Sequence, residues 1–290
     1  IRKKIPSYKY LNDELHKFEV TTNDSTYQHV MSKKVLLLSK NAKQLCRDGI
    51  PIKYMKPILL KMFNVGFTKV DYVNKKEEVL KGRTLSDVDI VPTFCNKTLE
   101  ETIPDNYLNE KGIEALKEVL WLLDGVFPKI EYCPALAVIA SVLLLLLSKE
   151  ETYELLRNLI EADEKPGEMK KLGWHFLYTL NEIIRLHLAI TNSILEISKD
   201  RIVTQFKMIE NYGLPKFRLI QDMTDKFFID YINFIGMLKF LPFFLYEGVK
   251  GIYRFAYGLI SVCPFRLVKE KEEDSTQLRT LSSQIAQEYD

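Results

Sequence analysis

The chain has 290 residues, of which 47% are hydrophobic and 28% charged, and its formal net charge is +2 at pH 7. A chain of this length can bury a large core, and its near neutrality argues against a general nucleic-acid binder that depends on bulk positive charge. Any anion-binding site must therefore be local.

The cysteines and histidines show no metal-ligand spacing. The four cysteines form no CxxC pair, so we expect reduced thiols, no disulfide framework and no bound metal. The sequence also has no phosphate-cradling glycine loop and no catalytic nucleophile motif. We therefore expect no cofactor and find no positive case for an unrelated enzyme.

The first clear element follows a polar N-terminal extension, residues 1–34, which lacks the pattern of a signal peptide. The segment VLLLSKNAKQLCRDG predicts an amphipathic helix that ends at Gly49. Lys43 and Arg47 fall on the side of this helix away from its apolar residues. The next segment, IKYMKPILLKMF, predicts a second helix with a break or kink at Pro57.

Two apolar stretches in the rest of the chain resemble membrane spans without qualifying as such. Cys133–Leu147 has 15 residues, too short for about 20 residues of hydrocarbon core, and predicts a buried helix. Phe227–Tyr246 is long enough, but it contains charged residues and a proline. We therefore predict a chain that does not span a membrane.

Helical patterns continue through the second half of the chain. Asn109 is placed to cap a strong helix, and a linker is expected at Glu164–Gly173, where lysine, proline and glycine collect. The last helices are predicted at about 218–240 and 243–262. Because strand signals are sparse throughout, the predicted class is all-α.

Two pairs of cations are the candidate functional residues. Lys250 and Arg254 lie four residues apart in the apolar segment FFLYEGVKGIYRFAYGLI, as do Lys43 and Arg47 near the start of the chain. Helical spacing places each pair on one face, and our hypothesis is that both pairs line one anion pocket. For Lys250 and Arg254 the alternative is that their stems cover core. For Lys43 and Arg47 it is a solvated face or favourable charge at a helix C-terminus.

Four short motifs then occur in a recognisable order: RDGIP, DIVPTF, YCPALAVIASVLLLLL with EETYELL behind it, and FFLYEGVKGIYRFAYGLI. This succession resembles TBC domains, the Rab GTPase-activating fold. The resemblance implies an all-α, V-shaped domain of two lobes over residues 35–265, with lobes at about 35–165 and 172–265. Residues 266–290 would form a charged linker and the start of a helix leading to a TLDc domain.

Active TBC domains supply an arginine from an IxxDxxR motif and a glutamine from a YxQ motif. The arginine neutralises charge on the transferring phosphate, and the glutamine orients the attacking water. In this register Pro92 occupies the arginine position and Pro134 the glutamine position. Proline has neither a charge nor a side-chain hydrogen-bonding group. The resemblance therefore implies no catalytic residues and no GTPase activation by the two-finger mechanism.

The segments YCPALAVIASVLLL and YEGVKGIYRFAYGLI are similar to one branch of the family, the TBC/TLDc or Skywalker type. In that branch a cationic pocket binds phosphoinositide headgroups, and its basic positions match Lys43, Arg47, Lys250 and Arg254. The resemblance thus implies a cytoplasmic protein, peripheral on vesicle or plasma membranes, that acts in vesicle trafficking. The alternative is a protein that binds, or weakly stimulates, a small GTPase of the Rab or Arf type.

Overall fold

Every regular element that the structure describes is helical, which confirms the all-α class. We use a computed structural model, which describes residues 40–63, 65–66, 69–81, 92–95, 108–164, 175–197, 216–229, 231–232 and 234–262. The α-helices are α1 (Lys40–Asp48), α2 (Ile52–Met62), α3 (Lys69–Leu80), α4 (Glu110–Val126), α5 (Pro134–Leu144), α6 (Lys149–Glu164), α7 (Leu180–Ile197), α8 (Lys216–Asp225), α9 (Phe234–Glu247) and α10 (Val249–Val262). A short 3₁₀ helix, Thr93–Cys95, precedes α4.

Helix α5 forms the centre of the core. Its residues from Leu136 to Leu143 are all buried, and it packs against α4, α6 and the 3₁₀ helix. A helix that is apolar on every side has to be enclosed by other elements. The segment predicted as a buried helix rather than a membrane span is therefore the centre of the domain, and among the described residues no helix is long and apolar enough to cross a membrane.

Local sequence signals set two of the helix ends. Helix α1 stops at Gly49, whose φ of +90° is accessible to glycine without steric cost. Helix α4 begins after Asn109, whose side-chain oxygen accepts a hydrogen bond from the Gly112 N–H at 2.9 Å. Helix α2 runs through Pro57 as one element, so of the predicted break or kink the break is not present.

The boundaries predicted for the last helices are wrong. Pro242 lies inside α9, and the chain turns at Gly248, which has a φ of +63° and separates α9 from α10. Phe240 and Phe244 of α9 pack on Phe227, with ring centroids 4.9 and 4.8 Å apart. This aromatic packing stabilises the helix across its proline, because tertiary contacts can outweigh local propensity.

The first described helix packs on the last part of the chain. Helix α1 lies against α9, and α9 packs on α10. This arrangement brings the segment around residue 45 next to the segment around residue 247. The predicted linker at Glu164–Gly173 lies mostly outside the described residues, as do residues 1–34 and 266–290, and the division into two lobes stays a prediction.

Candidate anion-binding site

Three helices bring the candidate cations to one buried carboxylate. Lys43 and Arg47 come from α1 and Arg254 from α10, and all three approach Glu247, the last residue of α9. The Glu247 side chain is only 6% exposed, whereas those of Lys43, Arg47 and Arg254 are 45%, 38% and 40% exposed. The site is therefore a buried acid beneath partly exposed cations.

The two arginines are held more tightly than the lysine. The Nε and Nη2 groups of Arg47 donate to Oε1 of Glu247 at 3.1 and 2.6 Å, and Nη1 of Arg254 donates to Oε2 at 2.9 Å. The Lys43 Nζ lies 3.9 Å from Oε1, which is an ion pair without a hydrogen bond. One carboxylate thus fixes two guanidinium groups from helices at opposite ends of the sequence.

Lys250 is the least constrained of the four predicted residues. Its side chain is exposed one helical turn before Arg254, and it forms no hydrogen bond or ion pair with any residue that the structure describes. Four residues of helix span about 6 Å along the axis, so the Cα atoms of Lys250 and Arg254 lie about one turn apart on the same helix. Lys250 is thus a fourth predicted cation that does not contact Glu247.

The site carries surplus positive charge. Three cations contact a single carboxylate, which leaves two positive charges, and Lys250 adds a third. A guanidinium has five N–H donors, of which Arg47 uses two on Glu247 and Arg254 uses one. The remaining donors can serve an anion with several oxygen atoms.

Glu247 is the functional residue that sequence reasoning missed. Its signal was a lone acid within an apolar segment, three residues before Lys250 and seven before Arg254. Cys46 is buried nearby, and that burial, with a smaller contribution from the Glu247 charge, raises the pKa of the Cys46 thiol to about 12. Burial also raises the pKa of the neighbouring Tyr246 hydroxyl.

The two prolines predicted to occupy the finger positions, Pro92 and Pro134, lie in segments that contact each other. The Cys133 N–H donates to the Phe94 carbonyl at 2.8 Å, which places the turn after Pro92 against the N-terminus of α5. Pro92 and Pro134 are both buried, and Pro134 is the first residue of α5. Neither position offers a side chain that can reach a bound nucleotide as a hydrogen-bond donor.

A small cavity lies beside Pro134. Its volume is about 40 Å³, and its lining is mostly apolar, with Ile139, Phe176 and Phe244 among the lining residues. His187 is also at its wall, with Nε2 2.6 Å from Thr224 Oγ1, and burial lowers the pKa of His187 to about 4. Ligand pockets usually measure about 300 Å³ or more, so this cavity is not a candidate substrate site.

A family model decides the family of the chain. The model of the Rab-GTPase-TBC domain matches residues 70–268, which is more than half of the sequence. The chain belongs to the Rab-GTPase-TBC domain family. The predicted family is confirmed, and the finger segments and α10 all fall within the matched range.

Curated relatives of this TBC domain are regulators of small G proteins by name. The chain is 22% identical over 253 residues to Small G protein signaling modulator 3 of Mus musculus and 21% identical over 248 residues to that of Homo sapiens. These matches cover 86% and 84% of the chain. The chain spans about a third of the length of these relatives, 32% and 31% respectively.

Solved structures confirm the fold. The TBC domain of Skywalker/TBC1D24 from Drosophila melanogaster superposes with a TM-score of 0.57 at 18% identity, covering 99% of this chain and 85% of that one. The same domain in complex with inositol(1,4,5)triphosphate gives a TM-score of 0.56 at 19% identity, covering 98% and 88%. The predicted TBC fold of the Skywalker type is therefore correct.

Proposed function

We propose that this TBC domain binds phosphoinositide headgroups through Lys43, Arg47, Lys250 and Arg254. The observation that carries the proposal is the meeting of Lys43, Arg47 and Arg254 at Glu247, which leaves surplus charge and unused donors at a partly exposed surface. The complex of the Skywalker TBC domain with inositol(1,4,5)triphosphate supports the same ligand class.

The chemistry of the cluster favours a ligand with several phosphates. Each charge-assisted hydrogen bond to a phosphate is stronger than a neutral one, and arginine can chelate two phosphate oxygens at once. A single phosphate would meet the repulsion of Glu247 with few compensating contacts. A headgroup with two or three phosphates can contact both cation pairs together.

Vesicle flotation tests this binding directly. We expect the protein to float with phosphatidylcholine vesicles containing phosphatidylinositol bisphosphate and to stay behind with phosphatidylcholine alone. The double variant Lys250→Ala, Arg254→Ala should lose about ten-fold or more in apparent affinity, since juxtamembrane cations contribute about 1 kcal/mol each and Arg254 also donates hydrogen bonds.

The matched control removes two lysines from other helices. Lys75 of α3 and Lys111 of α4 lie on helices that pack on each other, and neither helix contributes a cation to Glu247. Lys75→Ala with Lys111→Ala changes the net charge by the same amount and should leave flotation almost unchanged. Equal flotation of all three proteins would overturn the assignment of the pocket.

The same proposal includes the absence of two-finger GTPase activation. Pro92 and Pro134 stand at the finger positions, and both are buried. An arginine finger contributes a factor of about 10³ to 10⁵ in rate, so a domain without it should not accelerate hydrolysis by the usual route. In this account the fold serves as a peripheral module on cytosolic membrane surfaces in vesicle trafficking.

Binding or residual stimulation of a small GTPase of the Rab or Arf type is the second candidate function. It is favoured by membership in the Rab-GTPase-TBC domain family and by similarity to small G protein signaling modulators. Single-turnover GTP hydrolysis over a panel of such GTPases separates the two candidates. Acceleration by about two orders of magnitude would overturn the loss of the finger mechanism.

A further inference from the structure

We infer that Glu247 is a positioning and selectivity residue of the anion site. This inference rests on the proposed function and concerns how the same site chooses among anions. In outline, Glu247 holds the two arginines in one arrangement and also repels anions that cannot engage both of them. We therefore expect the site to bind polyphosphorylated headgroups in preference to surfaces whose negative charge is diffuse.

The positioning role follows from the contacts of the carboxylate. Oε1 of Glu247 accepts from Arg47 and Oε2 accepts from Arg254, so the two guanidinium groups are held on the two oxygens of one group. A long side chain that is held before binding loses less rotamer freedom when the ligand arrives. The buried position of Glu247 fixes this arrangement, because the carboxylate itself cannot move into solvent.

The selectivity role follows from charge. Without Glu247 the cluster would carry one more positive charge and would attract any anionic surface more strongly. With Glu247 present, the binding free energy of an anion is favourable only if the anion contacts several donors at once. Specificity of this kind comes from a built-in repulsive group as much as from attractive contacts.

Two substitutions separate positioning from charge. Glu247→Asp keeps the charge but withdraws the carboxylate by one methylene, so it cannot reach both arginines equally. Glu247→Gln removes the charge and also places an amide donor toward a guanidinium. Each protein is measured on vesicles with phosphatidylinositol bisphosphate and on charge-matched vesicles with phosphatidylserine, and the preference is the ratio of the two affinities.

We expect both variants to lose about two- to ten-fold of the wild-type preference, the range that follows from releasing one ordered side chain. Binding to phosphatidylserine vesicles should rise about three-fold in Glu247→Gln only, as expected for one unit of charge near the surface. Glu118→Gln is the matched control, because Glu118 is also a buried acid beneath cations but lies elsewhere. Its preference should equal that of the wild type.

Arg254→Lys provides a second test in case the variants of Glu247 do not fold. Residue 254 is exposed, and lysine keeps the charge while losing the planar fork that Glu247 orients. The same fall in preference is expected. If every folded variant keeps the wild-type preference for phosphatidylinositol bisphosphate, the role of Glu247 is overturned but the proposed function is not. If the wild type itself shows no such preference, the proposed function is overturned.

Discussion

Two buried glutamates in the described part of the chain, Glu118 in α4 and Glu247 at the end of α9, meet cations from other helices, and they differ in the number and type of those cations. Lys76 and Lys149 each lie 2.8 Å from Glu118, and the Tyr72 hydroxyl donates to it at 2.9 Å. Two ammonium groups thus meet this carboxylate. At Glu247 two arginines retain unused donors.

The two sites also differ in what their cations join. Glu118 connects α4 to two other helices. It contacts Tyr72 and Lys76 of α3 and Lys149 of α6. The cations at Glu247 tie α1 and α10 to α9 and add surplus charge at the surface. We interpret Glu118 as a structural contact and Glu247 as the base of a binding site, because three cations meet at Glu247 against two at Glu118, and two of the three are arginines, whose planar forks suit a phosphate.

The largest expected effect is on stability at Glu118. Glu118→Gln should lower the free energy of unfolding by about 2–3 kcal/mol, since hydrogen bonds to a buried charge contribute about that much and two lysines would lose their counter-ion. Urea denaturation followed by circular dichroism measures this change. Weaker binding of the folded variant to phosphoinositide vesicles would contradict the division of roles.

The pH dependence of that effect is a second test. Burial opposes ionisation of Glu118, but hydrogen bonds from Lys149, Lys76 and Tyr72 outweigh it and hold the pKa below the ordinary 4.5. A depressed carboxyl pKa gives stability that is present above pH 4.5 and lost as the pH falls through the folded value. The difference in free energy of unfolding between wild type and Glu118→Gln should therefore be constant from pH 7 to 5 and become smaller below pH 4.5. A difference that grows below pH 4.5 would contradict the ion pairs of Glu118 with Lys76 and Lys149.

Arg47 should affect both stability and binding. Arg47→Ala removes two hydrogen bonds between α1 and Glu247, and we expect a loss of about 1–2 kcal/mol in unfolding free energy together with about ten-fold weaker vesicle binding. Arg157→Ala is the control, because Arg157 contacts Glu154 and Glu161 within its own helix. Because Glu154 is also a buried acid, that control should cost a similar amount, about 1–2 kcal/mol, through a comparable loss of hydrogen bonds, but leave binding intact. A binding loss shared by both variants would contradict a local site.

The smallest expected effect belongs to Lys250. Since this side chain is exposed and supports no contact within the described residues, Lys250→Ala should leave the unfolding midpoint unchanged. Vesicle binding should weaken about three-fold at low salt, and the difference should shrink as ionic strength rises to about 1 M, where the Debye length is about 3 Å. A salt-independent loss would indicate a hydrogen-bonded rather than a purely electrostatic role.

Much of the fold follows from local signals, and the site depends on distant ones. The ends of helices at Gly49 and Asn109 were predictable because the residues involved are neighbours in sequence. The turn at Gly248 was not, because aromatic packing around Phe244 decides that α9 continues through Pro242. Tertiary contacts of this kind leave no periodic signal.

The four cations were singled out because each pair has helical spacing and matches a family pattern, and the structure brings three of them, Lys43, Arg47 and Arg254, to one carboxylate. Their meeting point was not, since the contact of Arg47 with Glu247 joins residues 200 positions apart. A single acid in an apolar segment has many interpretations until the helices around it are known. The sequence thus indicates the charges of the site, and only the packing of α1 on α9 identifies the group that orients them.

Calorimetric titration with soluble inositol trisphosphate tests the central claim most directly, because it removes the membrane from the measurement. We predict binding by the wild type and by Glu118→Gln after correction for folded fraction, with about ten-fold or greater weakening in the Lys250→Ala, Arg254→Ala variant. Equal binding by the wild type and the double variant, or no binding by any of the three proteins, would contradict an anion site at Glu247.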